Sequence, residues 1–266
     1  MRKYLTVFAV DWQNQFIYRL NFFLWRFRNV LRVLMTYFLW TSIFAYRTTV
    51  FGYTREQIMA YLLLVIFLYG FVGSCPSNDN VGGEVSSGAL NNFLVKPIGY
   101  LRYWFTRDLS SKLLNTVFAV GEISLLWFIF RPALVFSSQP LIIFLGILML
   151  ASAVVIFYLL GKLAISIVFW APENTWGLMF MVLVFTEILT GLIFPLDILP
   201  SHIFTALQFT PFPYLLYFPL VTFIGRLSPQ LSFQYLLQSL IWLGILYSLL
   251  RKVWSAGLKN YSAYGG

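Results

Sequence analysis

Charge is scarce in this chain. Only 10% of its 266 residues are charged and 60% are hydrophobic, whereas soluble proteins carry roughly 25% charge. So few charges could not cover a surface that faces water, while a surface that faces lipid needs none. The composition therefore excludes an ordinary soluble domain and predicts an integral membrane protein.

Cysteine and histidine are almost absent as well. A single cysteine, Cys75, excludes an intramolecular disulfide and a cysteine-based metal cluster. The single histidine, His202, has no Cys or His nearby in the sequence, so no metal site is expected. No phosphate-binding loop of the form Gly-x-x-x-x-Gly-Lys-Ser/Thr occurs, and no nucleophile or paired acids indicate an enzyme. We expect no catalytic residue, metal or cofactor in this chain.

Long apolar runs are what the sequence has in abundance. A helix needs about 20 residues to cross ~30 Å of hydrocarbon. Six runs approach or exceed that length, at residues 30–46, 58–75, 113–130, 141–165, 176–194 and 231–250. They predict an all-α integral membrane protein with six transmembrane helices, in a single domain over residues 1–266.

The basic residues cluster between the apolar runs and predict the orientation of the chain. Of the 18 Lys and Arg, 14 fall in segments on one side of the membrane, and the other four are Arg47, Arg55, Arg131 and Arg226. The positive-inside rule then places both termini in the cytoplasm. Because topology explains the net charge of +9, we expect membrane lipid and no nucleic acid as a partner.

Residues 1–28 precede the first apolar run and have helical periodicity. Apolar side chains recur every three or four residues, at Leu5, Phe8, Trp12, Phe16, Leu20 and Phe23. Asp11, Gln15 and Arg19 lie on another face. This pattern predicts an amphipathic helix in the cytoplasmic interface of the membrane. The alternative is that these residues lengthen the first span.

Residues 76–112 form a polar connection on the basic side. The pair Gly82-Gly83 can break one helix. Glu84 suits the first turn of the next helix, because the helix dipole favours an anion there. Pro97 then stops that helix. We therefore expect a short cytoplasmic helix over residues 84–94.

Residues 195–230 form the other long connection, which carries six prolines among apolar and aromatic residues. A loop exposed to water would be more polar. A complete span would not tolerate so many prolines. The segment therefore predicts a re-entrant hairpin of two short helices on the outer side.

Taken together, these features resemble the membrane subunit of type-2 ABC exporters, in particular the bacterial half-size permeases that are encoded separately from their ATPase. The resemblance covers nearly the whole chain. Its specific parts are the segment Glu84…Gly88…Leu94-Val95-Lys96-Pro97, the stretch FPLDILP at residues 194–200, and the start of the cytoplasmic tail 251–266, RKVWSAGLKNY at residues 251–261.

The resemblance implies a dimer with a second permease copy or a paralogous permease, in the bacterial plasma membrane. Each half would couple to a cytoplasmic ATPase subunit that binds ATP and Mg, and would move a hydrophobic or amphipathic substrate outward by alternating access. Residues implied to contact the ATPase are Glu84, Ser87, Gly88, Leu90 and Leu94. Residues implied at an outer gate are Pro195, Asp197 and Pro200.

Two acids lie within predicted spans, where an ionised carboxylate is costly. Glu122 lies in the third span, where Asn115 shares its face, and Glu187 lies in the fifth. These residues could line a substrate path or a dimer contact, or they could be hydrogen-bonded packing residues. The alternative function is a secondary transporter driven by an ion gradient, with both acids as proton carriers, although no internal repeat supports it.

Overall fold

The computed structural model describes residues 2–15, 19–75, 77–131, 135–171 and 175–261. Within them lie eleven α-helices and one two-stranded antiparallel hairpin. The strands are β1 (Thr49–Val50) and β2 (Tyr53–Thr54). The helices are α1 (Arg2–Gln15), α2 (Arg19–Ile43), α3 (Arg55–Val72), α4 (Ser77–Ser86), α5 (Asn91–Leu94), α6 (Tyr100–Phe130), α7 (Pro140–Ile165), α8 (Thr175–Leu189), α9 (Ser201–Gln208), α10 (Tyr217–Phe223) and α11 (Pro229–Asn260).

Four of these helices are long and apolar enough to cross a membrane: α3, α6, α7 with its 3₁₀ extension to Phe169, and α11. The first predicted span corresponds to α2, whose first half carries three arginines, and the fifth corresponds to the short α8, which is apolar over Met179–Leu189. The prediction of an all-helical membrane protein is confirmed. The count of six stays a prediction for α2 and α8.

The helix bundle has two chemically different ends. We call the end formed by residues 77–100 and 251–261 the basic end, and the end formed by residues 49–54 and 195–226 the hairpin end. Helix α3 runs between them and packs against α2, α6, α7 and α10. Helices α7 and α11 run side by side in the same direction, with the hydroxyls of Ser152 and Ser239 2.9 Å apart. These contacts determine which loops lie at the same end of the helix bundle.

The N-terminal prediction is wrong in its boundary. Helix α1 ends at Gln15, Phe16 lies outside the described residues, and residues 19–28 belong to α2. The Asp11 carboxylate is buried against α6, where it accepts a hydrogen bond from Arg107 at 2.6 Å. Leu5 points away from the protein with 70% exposure. The polar face of α1 therefore contacts the protein, and its apolar face remains available for contact with lipid.

The predicted helix at residues 84–94 is also wrong in its boundaries. The chain forms α4, which continues through Gly82-Gly83, and then the single turn of α5. Val81 and Val85 of α4 are buried in the core. That packing outweighs the helix penalty of about 1 kcal/mol for each glycine. The break falls instead at Gly88, whose φ of +78° is the left-handed conformation that glycine favours.

The proline-rich segment forms two short helices, as the sequence predicts. Helix α9 is amphipathic, while α10 is buried almost completely between α3, α7 and α11. The ring of Phe218 in α10 stacks on Tyr235 of α11 with centroids 3.8 Å apart. Because α10 lies inside protein, its irregular flanks avoid lipid.

Gly191, after α8, has a φ of +83°, and a Cβ there would lie 2.6 Å from the hydroxyl of Tyr61, which donates to the Gly191 carbonyl. We expect Gly191→Ala to lower the thermal unfolding midpoint in detergent by at least about 4 °C, because it combines backbone strain with a steric clash. Gly244→Ala is the matched control, since its Cβ would meet nothing within 4 Å. Equal midpoints for both variants would contradict this packing.

Candidate functional site

Arg26 of α2 binds both polar residues that the sequence singles out in the third span. Its Nε donates to Glu122 at 2.7 Å, and its Nη2 forms an ion pair with the same carboxylate. Its Nη1 donates to Asn115 at 3.3 Å. The Arg26 side chain is only 6% exposed. Asn115 and Glu122 therefore hold a buried arginine at the contact between α2 and α6.

Arg32 binds the other acid, Glu187 of α8. Arg32 Nη2 lies 2.6 Å from a carboxylate oxygen, and the two side chains are 29% and 26% exposed. The guanidinium carbon lies 5.9 Å from the ring centre of Tyr69 in α3. Both acids of the predicted spans thus pair with arginines of α2. Sequence reasoning missed these partners because it assigned the arginines to the cytoplasmic surface.

Lys112 closes the end of α3 at the basic end. Its ammonium is fully buried and donates to the carbonyls of Phe71, Val72 and Ser74 at 3.1, 2.7 and 2.6 Å. The last carbonyls of a helix lack partners within the helix, and a cation there also interacts favourably with the negative end of the helix dipole. Lys112 therefore connects the C-terminal end of α3 firmly to α6, just before α4 begins.

Cys75 lies beside this junction. Its thiol donates to Asp108 of α6 at 3.0 Å. Burial, together with the Asp108 carboxylate, raises the pKa of the Cys75 thiol to about 12. The thiol is therefore neutral at physiological pH and acts as a hydrogen-bond donor rather than a nucleophile.

The residues predicted to contact an ATPase separate into two groups. Glu84 accepts a hydrogen bond from the Tyr100 hydroxyl at 2.6 Å, and Leu90 is fully buried. Ser87 is exposed, Gly88 is half-buried and Leu94 is 50% exposed. Val95, which is not among the predicted contact residues, is 84% exposed. Of the predicted contact residues, those of the second group are accessible to a partner, together with Val95.

The predicted tail is largely an ordered part of the basic end. Helix α11 continues to Asn260, and residues 262–266 lie outside the described part of the chain. The Trp254 ring stacks on Tyr100 at 5.6 Å and meets Phe169 edge-on at 5.1 Å. Asn260 donates to the Phe169 carbonyl at 2.9 Å. Through Tyr100, these contacts connect α11 to Glu84.

The predicted outer-gate residues lie at the hairpin end. Asp197 accepts from the Tyr53 hydroxyl at 2.7 Å and lies 3.5 Å from Arg226. Burial and the nearby carboxylate raise the pKa of Tyr53 above its usual range, so the hydroxyl stays protonated. The Arg226 guanidinium also stacks 3.6 Å from the Tyr53 ring centre. Pro195 is buried and Pro200 is exposed, just before α9.

We expect Lys112→Met to lower the thermal unfolding midpoint in detergent by about 5 °C or more, because it leaves three carbonyls at the end of α3 without their donor. Lys252→Met, at an exposed position of α11, removes the same charge and serves as control. A Lys112→Met protein that melts with the wild type would show that the cap contributes little.

We expect Cys75 to resist maleimide labelling at pH 8 in the folded protein. With a pKa of about 12, its thiolate fraction is on the order of 10³ lower than that of an ordinary exposed thiol. Labelling can be followed by intact mass, and complete labelling in SDS is the control. Modification at the rate of an exposed thiol would contradict the buried hydrogen bond.

A comparison with known families agrees with this architecture. The family model described as ABC-2 family transporter protein matches residues 30–265, from within α2 to beyond the end of α11. No individual curated protein matches the sequence significantly. Because the family match covers far more than half of the chain, this protein belongs to the ABC-2 transporter family and is an ABC permease, the membrane component of a transporter.

Proposed function

We propose that this permease exports a hydrophobic or amphipathic substrate across the bacterial plasma membrane by alternating access. ATP hydrolysis, with Mg, takes place in cytoplasmic ATPase subunits that bind the basic end. The functional unit contains a second copy of the chain or a paralogous permease, and both termini are cytoplasmic. The observation that carries this proposal is the family match over residues 30–265.

The ATPase contact is proposed at a docking surface formed by Ser87, Gly88, Asn91, Leu94 and Val95. Asn91, Leu94 and Val95 are exposed. Exposed apolar side chains in a polar setting are typical of protein contact sites. The positive-inside rule predicts that this end is cytoplasmic, where an ATPase would be found.

Movement of the docking surface would be transmitted to the membrane helices through hydrogen bonds on either side of it. On one side, Glu84 is hydrogen-bonded to Tyr100 at the start of α6. On the other, the Lys3 ammonium donates to the Pro97 carbonyl, which links α1 to the end of the segment. Both contacts support a role for α1 and α6 in coupling. Glu84 would then act by positioning the segment rather than by touching the ATPase.

The hairpin end is proposed as the outer gate. Arg226 connects the turn at Gly52 to Asp197. Its Nη1 donates to the Gly52 carbonyl at 2.9 Å, and its guanidinium also forms an ion pair with Asp197. The contact joins β1 and β2 to the Pro195–Pro200 region, and Tyr53 reinforces it. We propose that these contacts hold the exit closed in the present conformation and separate when the substrate leaves.

The alternative of an ion-gradient-driven transporter rested on Glu122 and Glu187. Each carboxylate is neutralised by an arginine of α2. A proton carrier would have to leave that arginine unpaired in every cycle, which is costly inside a membrane. The ion pairs therefore favour a packing or recognition role for the two acids over proton transfer.

The proposal is tested by purifying the tagged chain from native membranes and identifying bound proteins by mass spectrometry. We expect a soluble ATPase subunit with a phosphate-binding loop. The double substitution Leu94→Asp and Val95→Asp should reduce its recovery at least about tenfold, because it places charge in an apolar contact. Phe209→Asp is the matched control, since Phe209 is 77% exposed but lies at the hairpin end.

Two results would contradict the proposal. Recovery of the wild-type chain without any ATPase would argue against an ATP-driven complex. Equal recovery with the docking-surface variant and the Phe209→Asp control would place the ATPase contact elsewhere. Size-exclusion chromatography of each variant verifies that the protein is folded.

A further inference from the structure

Four exposed cations lie beside the proposed docking surface. Arg2 and Lys3 belong to the first turn of α1, Lys96 directly follows the docking surface in the sequence, and Arg102 lies in the first turn of α6. The positive-inside rule accounts for basic residues at this end, but it requires no particular arrangement among them. Their arrangement is therefore a separate property of the fold.

Contacts between α1 and the start of α6 bring these cations together. Lys3 donates to the carbonyl of Pro97, which lies 94 positions away in the sequence. A Cβ at Gly99 would lie 3.7 Å from Cδ of Arg102 and 3.8 Å from the Tyr4 hydroxyl, so both side chains pack at this glycine. The cations of α1 and those at the start of α6 therefore lie side by side.

None of the four cations forms an ion pair with a residue that the structure describes. The Lys96 ammonium lies 4.9 Å from the centre of a phenyl ring, that of Phe93. Two nearby acids are engaged elsewhere: Asp11 pairs with Arg107, and Glu84 accepts from a tyrosine hydroxyl. Within the described part of the chain, the four positive charges therefore remain available to a partner.

The cations lie next to an apolar centre. Leu94 and Val95 are 50% and 84% exposed, and Lys96 comes immediately after them. Protein interfaces commonly have an apolar centre and a polar rim, and charges in the rim select the partner by attraction or repulsion. A protein surface that covers Leu94 and Val95 would come within reach of these cations.

The position of α6 relative to the membrane allows a soluble partner to reach them. Tyr100, the first residue of α6, stacks on Trp254 of α11. Helix α11 begins at Pro229, near the hairpin end, and rises about 37 Å from there to Trp254. The hydrocarbon is only ~30 Å thick. The start of α6 and the cations beside it therefore lie outside the hydrocarbon, on the side predicted to be cytoplasmic.

We infer that the ATPase surface that covers Leu94 and Val95 is acidic. Arg2, Lys3, Lys96 and Arg102 form a basic rim that attracts it to the docking surface. The inference rests on the proposed function, to which it adds the charge of the partner's surface and a role for the first turn of α1. The rim acts mainly on the association rate, because exposed charges attract over a Debye length of about 8 Å and contribute little to the affinity once screened.

The test measures association between the purified chain, in phosphatidylcholine nanodiscs, and the ATPase subunit recovered in the pull-down described above. The double substitution Lys96→Glu and Arg102→Glu should lower the association rate at low salt at least about tenfold, and the difference from the wild type should shrink at about 0.5 M salt. Arg47→Glu with Arg55→Glu is the matched control. It reverses two exposed charges near the hairpin end and should leave the rate unchanged.

Carbodiimide cross-linking identifies the groups that the rim contacts, because it joins a lysine amine to a carboxylate without a spacer. We expect cross-links from Lys3 or Lys96 to Asp or Glu side chains of the ATPase. Replacing the cross-linked acids by lysine should restore part of the association rate of the variant with the reversed rim. A general disturbance of the fold would give no such rescue.

Three results would overturn the inference and leave the proposed function standing. In the first, the ATPase binds the reversed rim at the wild-type rate. In the second, Arg251→Glu with Lys252→Glu, at exposed positions of α11, lowers the rate equally, which would show a general field rather than a rim. In the third, the reversed rim leaves ATPase binding intact but abolishes a preference for phosphatidylglycerol over phosphatidylcholine in native mass spectrometry, which would identify a lipid site. Recovery of no ATPase with the wild-type chain would overturn both proposals.

Discussion

A charge or polar group that leaves water must find a partner inside the protein, and this constraint organises the membrane domain. Removing one partner of a buried ion pair costs about 3–5 kcal/mol. Arg26 satisfies it by binding Glu122 and Asn115, and Lys112 satisfies it by capping α3. Each contact joins two helices that apolar packing alone would hold weakly. An apolar side chain in a membrane contacts lipid about as favourably as it contacts another helix.

These contacts lie toward the basic end, which also carries the proposed docking surface. Lys112 holds the connection between α3 and α4 in place. The stacking of Trp254 on Tyr100 holds the start of α6 against α11. A displacement of the docking segment therefore meets a firmly connected set of helices rather than a loose loop. The hairpin end is held by polar contacts centred on Asp197 and Arg226 and by the buried helix α10.

The sequence predicts the helical membrane fold well because apolar runs and basic flanks follow directly from the physics of the bilayer. It also predicts the two short helices at residues 195–230, since proline density excludes a regular span. It fails where tertiary contacts override local preference. Gly82-Gly83 reads as a helix break, yet buried Val81 and Val85 hold α4 together across it. The periodicity of residues 1–28 gives no partner for the polar face of α1, yet Asp11 binds Arg107.

The candidate site was predicted in its members but not in its pairings. Glu122 and Glu187 stand out because acids are rare in spans, but the arginines that neutralise them are separated from them by 96 and 155 positions. No local pattern encodes such a distance. Leu90 and Leu94 look equivalent in sequence, but Leu90 is fully buried and Leu94 is 50% exposed. Arg32, which lies within the first predicted span, is a local signal of buried pairing.

The central claim is that ATP hydrolysis in a partner, rather than an ion gradient, drives movement through this permease. It is tested most directly by following labelled hydrophobic and amphipathic compounds into everted membrane vesicles that contain the chain and its ATPase. The account predicts uptake with ATP present and the proton gradient dissipated, and no uptake with the gradient present and ATP removed. Uptake that persists without ATP and collapses with the gradient would contradict it.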